Sequence, residues 1–243
     1  MKIFSRAAAL AGKELLSSAV SPACWGAAVF FLLFTSIRFF YFERFFAMDT
    51  ASLRGYFAAF PVAFIFVIPA VTMKSWAEER KTGSIELLLT MPFSEWDLVL
   101  GKFAAVFAML SVMLALTLPL PLSLLPFGEF DGGVIFAEYT GALLLAASAS
   151  ALGLFLSSLS KNQAGSFLGS AAVLMAVMLL NRLAANFTLP GVLSSFFSYI
   201  SLSFHFESFA RGIIDTRDVF FFVILTLLFL YLNARTLFYR KWK

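Results

Sequence analysis

Residues 103–128 read FAAVFAMLSVMLALTLPLPLSLLPFG, an apolar run that contains no charged side chain. The hydrocarbon core of a bilayer is roughly 30 Å thick, and about 20 apolar residues in a helix cross it. The run is long enough to do so, and it therefore predicts a transmembrane helix. Pro119, Pro121 and Pro126 cluster towards its end, where proline kinks or ends a helix.

The same pattern occurs five more times along the chain. The further uncharged stretches are Leu15–Ile37, Gly55–Met73, Tyr139–Ser160, Asn162–Asn181 and Val219–Ala234. Of the 243 residues, 61% are hydrophobic and 13% are charged, whereas soluble proteins usually have about 45–50% apolar and about 25% charged residues. The sequence therefore predicts an all-α integral membrane protein with six transmembrane helices. Residues 1–243 are expected to form a single polytopic domain without a nucleotide-binding domain.

A seventh uncharged stretch, Leu183–Phe204, differs from the other six in its polar content. It contains Asn186, the pair Pro190-Gly191 and a scatter of serines. These residues are poorly suited to contact lipid, because the bilayer core offers no partner to polar groups. We therefore expect a re-entrant or interfacial segment before the last transmembrane helix.

The distribution of lysine and arginine predicts the orientation of the chain. With six spans and the N-terminus inside, twelve of the 18 Lys and Arg residues fall on the inner side. Cytoplasmic loops carry the excess of positive charge, so both termini are predicted to be cytoplasmic. Near the N-terminus, Lys2, Arg6 and Lys13 share one helical stripe beside an apolar one, a pattern typical of an interfacial helix.

Several classes of function are disfavoured by what the sequence lacks. Cys24 is the only cysteine and His205 the only histidine, so neither a disulfide nor a cysteine-based metal cluster is expected. The chain contains no metalloprotease or serine-hydrolase motif, and its Gly-Lys pairs are not followed by Ser or Thr as in a phosphate-binding loop. The central thirds of the spans hold almost no ionisable residue, unlike those of ion-coupled carriers. We therefore predict a protein that is not an enzyme, with no catalytic residue, no metal and no bound nucleic acid.

Small residues recur at helix-packing spacing in two of the predicted spans. Ala142, Ala146 and Gly153 lie along the fourth span, and Gly165 and Gly169 lie four residues apart in the fifth. Such faces let two helix backbones approach closely. The three glycines are therefore candidates for packing between helices of one subunit or for a subunit interface.

The most informative segment lies between the second and third predicted spans. Residues 76–92 read WAEERKTGSIELLLTMP, and residues 93–102 read FSEWDLVLGK. Thr82 or Ser84 can cap a short helix, and Pro92 ends it. The segment therefore predicts a short, rigid helix held between two spans on the cytoplasmic side.

This short helix is predicted to have two different faces. Ile85, Leu88 and Leu89 share one face, since they are spaced at i, i+3 and i+4. No membrane core is available to that face, so we expect it to fill a groove on another protein. Ser94 and Asp97 then have the spacing of a capping box for the next helix.

The segment resembles the coupling-helix region of permease subunits in the second class of bacterial ABC exporters. The pattern there is two acids, a base, Gly, Thr or Ser, Ile or Leu, Glu and two leucines, followed by a proline and a Gly-Lys pair. The matching residues are Glu78, Glu79, Arg80, Gly83, Ser84, Ile85, Glu86, Leu88, Leu89, Pro92, Gly101 and Lys102. Ser84 stands where threonine is frequent, which is a mild departure.

A second block, residues 203–218, reads SFHFESFARGIIDTRD and precedes the last span. It resembles an extracytoplasmic block of the permease branch that includes gliding-motility-associated and nitrous-oxide-reductase-maturation permeases. Its titratable residues include His205, Glu207, Arg211, Asp215 and Asp218. Two interpretations stay open: these residues recognise a cargo or an extracytoplasmic partner, or they form a charged interfacial cap that closes the exit side.

The resemblance implies a dimer of six-helix subunits in the bacterial cytoplasmic membrane, formed with a second copy or a related chain. Each subunit would seat its coupling helix on a cytoplasmic ABC ATPase dimer, which holds the ATP and Mg²⁺, while this chain itself binds no cofactor. An extracytoplasmic accessory protein is a further candidate partner. Glu78, Glu79, Arg80 and Glu86 are expected to contact the ATPase or the neighbouring N-terminal helix.

Two alternatives to a transporter stay open at this point. A non-transporting scaffold or anchor of an envelope machine would use the same fold and motor, and the spans show no substrate-specific constellation. A motor-independent channel or secondary carrier is disfavoured by the coupling-like loop and by the lack of charges in the central spans. The predicted function is that of an ABC exporter permease, with ATP hydrolysis in a separate polypeptide.

Overall fold

The chain folds into a bundle of α-helices. The computed structural model describes residues 2–43, 52–91, 93–128, 130–186 and 191–241. The helices are α1 (Lys2–Val20), α2 (Pro22–Ile37), α3 (Arg54–Phe57), α4 (Phe60–Thr82), α5 (Ser84–Thr90), α6 (Glu95–Ala115), α7 (Pro119–Leu124), α8 (Gly132–Leu159), α9 (Gln163–Asn186), α10 (Gly191–Ile200), α11 (Leu202–Ala210) and α12 (Thr216–Lys241). These ranges contain no strand, and the prediction of an all-α protein is confirmed.

Among the described residues, six helical segments are long and apolar enough to cross a membrane, which agrees with the predicted number. They are Pro22–Phe42, Arg54–Thr82, Glu95–Phe127, Gly132–Leu159, Gln163–Asn181 and Thr216–Tyr239. Some of these helical segments are longer than the uncharged stretches of the sequence, because the helix also includes charged or polar residues next to the apolar ones. Asp131 caps α8 by accepting a hydrogen bond from the Gly133 N–H at 2.8 Å. Glu138, which the sequence placed outside the spans, therefore lies inside α8.

The first predicted span, Leu15–Ile37, is divided between two helices. Pro22 occupies the start of α2, where its missing N–H and fixed φ suit a helix beginning, and α1 ends at Val20. α1 packs along α6 at a glycine: a Cβ on Gly101 would lie 2.8 Å from Leu10 Cδ2. The N-terminal segment is therefore a helix outside the six spans, and it rests on the bundle.

α4 forms the centre of the bundle. Of the 18 consecutive residues that are most apolar in the segment Arg54–Thr82, 72% are buried inside the bundle. The corresponding share in the last span, Thr216–Tyr239, is 22%. Phe31 of α2 stacks on Phe64 of α4 with ring centroids 5.4 Å apart, and Phe60 of α4 meets Tyr139 of α8 edge-on with ring centroids 6.4 Å apart. Each such pair contributes about 0.5–1.5 kcal/mol beyond the burial of its area. Aromatic packing thus fixes α2 and α8 against the central helix.

α4 and α8 come close together at Gly153. A Cβ on this residue would lie 2.7 Å from the Thr72 hydroxyl oxygen. Thr72 is fully buried and donates a hydrogen bond to the Ile68 carbonyl at 2.9 Å, so it has little room to move. One turn further along α8, the Ser157 hydroxyl accepts a hydrogen bond from the Trp76 N–H at 3.3 Å. Glycine at position 153 therefore sets the separation of the two helices.

Gly153→Ala is expected to lower the free energy of unfolding by about 1–3 kcal/mol, because the added methyl group overlaps Thr72. Thr72→Ala in the same chain removes the overlapping atoms and should recover a measurable part of that loss. Thermal unfolding of the detergent-solubilised single and double variants measures this coupling. Gly12→Ala is the matched control, since a Cβ on Gly12 meets no atom within 4 Å. Strictly additive losses for Gly153→Ala and Thr72→Ala would contradict the close contact.

The segment before the last span forms two short helices, α10 and α11, and is not among the six candidate spans. The ring of Phe209 in α11 lies against α8 at Gly141, where a Cβ would be 2.5 Å from Phe209 Cγ. Glycine is therefore required for this approach of α11 to α8. The arrangement agrees with the re-entrant or interfacial segment that the sequence predicted.

Candidate functional site

The segment between α4 and α6 contains the short helix that the sequence predicted. α4 ends and α5 begins at Gly83, whose φ of +73° lies in the left-handed region that glycine adopts readily. The prediction that Thr82 or Ser84 caps this helix is wrong, because no side chain caps it. The Thr82 hydroxyl donates back to the Glu78 carbonyl at 3.0 Å, and Ser84 is exposed in the first turn. A turn at a glycine therefore connects α4 to α5.

One face of α5 packs on the chain itself. Ile85 and Leu88 are partly buried against the hydrophobic core, although the sequence led us to expect that this face fills a groove on another protein. Because Gly83 turns the chain between α4 and α5, the core of the chain itself covers part of this face. The side chain of Leu89 and the whole of Pro92 lie outside the described residues.

The predicted capping box at the start of α6 is confirmed. The Ser94 hydroxyl accepts a hydrogen bond from the Asp97 N–H at 3.1 Å, and the Asp97 carboxylate accepts one from the Ser94 N–H at 3.0 Å. Two backbone donors that the helix itself cannot satisfy are thereby paired. The capping box fixes the direction in which the chain leaves α5 and enters α6.

Lys102 joins three helices at this end of the bundle. Its side chain is 1% exposed, and its ammonium donates to Glu79 Oε1 at 2.7 Å, to Glu14 Oε1 at 3.1 Å and to the Ser75 carbonyl at 2.8 Å. The three N–H groups of the lysine are thus all used. Its Nζ also lies 4.8 Å from the centre of the Trp76 ring. The Lys102 cluster therefore ties α1, α4 and α6 together beside α5.

Arg80 ties α4 to the end of α8. Its guanidinium donates to the carbonyls of Leu159 at 3.0 Å and Ser160 at 2.6 Å. The last carbonyls of a helix have no partner within the helix, and they carry the negative end of its dipole. A cation is therefore favoured here, and Arg80 fastens two helices of the same chain.

Fewer charges around α5 face outward than the sequence suggested. Glu79 and Arg80 are engaged inside the chain, whereas Glu78 and Glu86 are exposed. Of the two contacts expected for these charges, Glu79 makes the one to the N-terminal helix, through the Lys102 cluster. Met91, 52% exposed, adds an apolar group just after α5. Glu78, Glu86 and Met91 form the outward surface at α5.

The sequence patterns gave no role to Glu14 and Lys102. A signal was present, since each charge interrupts an apolar helical stretch, and a charge buried in such a stretch needs a partner. The spacing along the chain does not say which partner it is, because the partners lie on other helices. The same limit applies to Gly101, whose small size makes room for α1.

The second block lies at the other end of the bundle. α11 packs on Gly141, whereas Arg80 binds Ser160 beyond the far end of the same helix α8. These two positions are about 28 Å apart at 1.5 Å per helical residue. The structure therefore separates the two blocks by roughly the thickness of a bilayer core.

Part of the second block forms a buried pair. His205 is 1% exposed, and its Nδ1 lies 2.6 Å from Asp218 Oδ1. Its Nε2 lies 2.9 Å from the Tyr199 carbonyl oxygen, and its ring stacks on that of Phe221 with the two ring centroids 3.8 Å apart. His205 thus fastens α11 to α12 and to the end of α10.

The other members of the second block are not gathered into one site. Asp215 accepts a hydrogen bond from the Arg217 N–H at 2.9 Å just before α12, and so it acts on the local backbone. Glu207 and Arg211 are exposed. A partner outside the bundle can therefore reach Glu207 and Arg211, but not the buried His205.

The three candidate packing glycines have different surroundings. Gly153 contacts Thr72 inside the chain, as described above. The Gly165 N–H donates to Asn162 Oδ1 at 2.7 Å near the start of α9. Gly169 is exposed, and a Cβ there meets no atom within 4 Å. Gly153 thus serves packing within the chain, and a subunit contact at Gly169 stays a prediction.

The short helix α5 is mechanically linked to the long helices on either side of it. α5 is joined at both ends to long helices, and the Lys102 cluster links those helices by charge-assisted hydrogen bonds. In the described ranges, no three His, Cys, Asp or Glu side chains lie close enough together to hold a metal ion. These contacts link α1, α4 and α6 next to the point where α5 begins.

Comparison with known families gives a match over most of the chain. A family model described as ABC-2 family transporter protein matches residues 25–238. No curated protein matches the chain. The matched range begins inside α2 and includes both α5 and the second block.

Proposed function

The chain belongs to the ABC-2 family of transporter proteins, and on this basis we propose that it is the permease subunit of an ATP-driven exporter. A separate ABC ATPase binds and hydrolyses ATP with Mg²⁺. α5 and the outward surface beside it receive the movement of that ATPase. The permease converts the movement into translocation of a substrate or into mechanical work across the membrane.

The observation that carries this proposal is the way in which α5 is held. The turn at Gly83 fixes the start of α5, Ile85 and Leu88 pack on the core, and the Lys102 cluster joins the helices beside it. Closely packed elements move as units, because a dense interior deforms little. We therefore expect a push on α5 to be distributed to α1, α4 and α6.

Glu86 is the expected contact with the ATPase. It is exposed in the first turn of α5, and the ion pairs found among the described residues do not include it. Exposed charges at an interface select the partner and speed the encounter, while wrong-sign charges repel it. The proposal therefore places a basic group of the ATPase opposite Glu86.

Glu86→Arg is expected to weaken recovery of the ATPase and its stimulation by about tenfold, because the reversed charge repels the basic partner. The tagged chain is purified from its native membranes in mild detergent. Co-purifying proteins are identified by mass spectrometry, and vanadate-sensitive ATP hydrolysis is assayed in the eluate.

Glu207→Arg provides the matched control, since it makes the same charge change at an exposed residue near the other end of the bundle. It should leave ATPase recovery unchanged. Equal results for the two variants would remove Glu86 from the interface. If the unaltered chain brings down no ATPase, the exporter proposal itself fails.

The wider assembly follows from the same proposal. Two permease subunits, identical or related, pair in a bacterial cytoplasmic membrane with all termini in the cytoplasm, and they sit on an ATPase dimer. The bias of lysine and arginine towards one side supports this orientation. The likeness of residues 203–218 to the gliding-motility and nitrous-oxide-reductase-maturation branch supports an outward direction. An extracytoplasmic partner would meet the exposed Glu207 and Arg211.

A further inference from the structure

A cavity of about 350 Å³ lies at the α11 end of the bundle. It is bounded by the start of α8, the end of α11 and the segment that leads into α3. Its charged lining residues are Arg54, Asp131, Glu138 and Arg211. Small-molecule sites usually have volumes of roughly 300–1,000 Å³, so the cavity is large enough for a compact ligand.

Glu138 is the unusual residue of this cavity. It is fully buried, and neither of its carboxylate oxygens has a hydrogen-bond partner among the described residues. Each oxygen exposes less than 1 Å² to solvent, so bulk water does not take the place of a partner. Buried polar groups in proteins are almost always hydrogen-bonded. A ligand that brings N–H donors into the cavity would give Glu138 the partners that it lacks among the described residues.

Two guanidinium groups stand on the exposed side of the same cavity. Arg54 and Arg211 are exposed, and the ion pairs found in the described ranges include neither. Arg211 donates through Nε to the Glu207 carbonyl at 3.3 Å, which leaves its terminal N–H groups for a ligand. Arginine forms bidentate hydrogen bonds with phosphate. The cavity thus has the buried acid Glu138 at its inner wall and two cations on its exposed side, where Asp131 also lies and accepts the Gly133 N–H.

We propose that this cavity binds a zwitterion in which a short linker joins a primary ammonium to a phosphate, as in an aminoalkyl phosphate ester. The ammonium donates its N–H groups to Glu138, and the phosphate accepts hydrogen bonds from Arg54 and Arg211. Glu138 lines the cavity, so a change of rotamer brings its carboxylate to the ligand. The ammonium and the phosphate of the ligand then each meet a group of opposite charge in the lining.

Other ligand chemistries suit the lining less well. A simple anion would bind the two arginines but would be repelled by Glu138. A simple cation would leave both arginines unused. A divalent metal ion prefers six or more oxygen ligands or a tight cluster of acids, and the described residues gather no such group.

The same chemistry occurs in a lipid headgroup and in a soluble amino phosphate. The purified chain in detergent is therefore titrated separately with phosphorylethanolamine, short-chain phosphatidylethanolamine and short-chain phosphatidylcholine. Binding is followed by the rise in unfolding temperature that a ligand of the folded state produces. The choline headgroup is the matched control, because its trimethylated nitrogen keeps the charge but has no N–H to donate.

Phosphatidylethanolamine is expected to bind about tenfold more tightly than phosphatidylcholine, since a charge-assisted hydrogen bond is lost with choline. Glu138→Gln should reduce this preference, because the amide oxygen still accepts an N–H but carries no charge, and Arg211→Gln should weaken the binding of both lipids alike. Glu207→Gln changes a carboxylate that does not line this cavity and should alter neither. Binding of phosphorylethanolamine alone assigns the site to a soluble ester, whereas binding of the lipid only assigns it to a headgroup.

Equal binding of the two lipids to the unaltered chain, or an unchanged preference in Glu138→Gln, overturns the inference. If Glu138→Gln does not fold, Arg211→Gln is compared with Arg217→Gln, a change at an exposed arginine outside the lining. Loss of affinity in Arg211→Gln alone is expected, and equal affinities would overturn the site. The test needs neither ATPase nor transport, so its outcome is independent of the exporter proposal.

Discussion

Lys102→Met is expected to lower the free energy of unfolding by about 3–5 kcal/mol. The substitution keeps the apolar stem of the side chain but removes the ammonium that Glu79 and Glu14 share at 2.7 and 3.1 Å. The two carboxylates are only 21% and 20% exposed, so water cannot fully replace the lost cation. Thermal or denaturant-induced unfolding of the detergent-solubilised variant, beside the unaltered chain, measures the loss.

Two further variants show whether the loss of stability comes from the unpaired carboxylates or from the replacement of a lysine by methionine as such. Lys102→Met combined with Glu79→Gln and Glu14→Gln removes all three charges and should recover most of the stability, because no buried charge is then unpaired. Lys161→Met replaces an exposed lysine and should change stability by no more than about 0.5 kcal/mol. A loss in Lys102→Met as small as that in Lys161→Met would show that the cluster does not hold the helices.

Features that depend on residues close together in the chain could be predicted from the sequence. The six spans follow from length and hydropathy, because a helix is the only open structure that satisfies its backbone in lipid. Pro119 begins α7, near the predicted break in the third span. The capping box of Ser94 and Asp97 is likewise a pattern of near neighbours. In each case the physical cause acts within one or two helical turns.

Features that depend on contacts between distant residues could not be predicted. The N-terminal helix was one expected contact of Glu79, but no spacing rule identifies Glu14 and Lys102 as the residues involved. Arg80 sits in a charged motif that suggested an external partner, but it satisfies carbonyls at the end of α8. The role of such a charge follows from which helix end it reaches, and that depends on the packing of the whole bundle.

Glu138 shows a different limit of the sequence pattern. The fourth span was predicted to begin at Tyr139, because the uncharged stretch begins there. The helix in fact begins at Gly132, where Asp131 caps it. A rule that ends a span at its first charged residue therefore misses a charge that the helix carries inward, and in this chain that charge lines the cavity of the α11 end.

His205→Ala is also expected to lower the free energy of unfolding by about 3–5 kcal/mol. The change leaves the Asp218 carboxylate, which is 10% exposed, without the nitrogen at 2.6 Å. It also leaves the Tyr199 carbonyl without the nitrogen at 2.9 Å, and it removes the ring that stacks on Phe221. Unfolding of the detergent-solubilised variant measures the total, and protease cleavage between residues 200 and 216 reports whether α11 has come loose from α12.

Asp218→Asn tests whether charge or hydrogen bonding holds this pair. A carbonyl only accepts, so Nε2 of His205 donates to Tyr199, and Nδ1 of a neutral ring can accept an N–H from an asparagine amide. Both hydrogen bonds then survive without charge, and the expected loss is about 1 kcal/mol. A loss as large as that of His205→Ala would mean that the charges hold the pair. Small losses in both His205→Ala and Asp218→Asn would mean that the packing of Phe209 on Gly141 holds α11 in place without the His205–Asp218 pair.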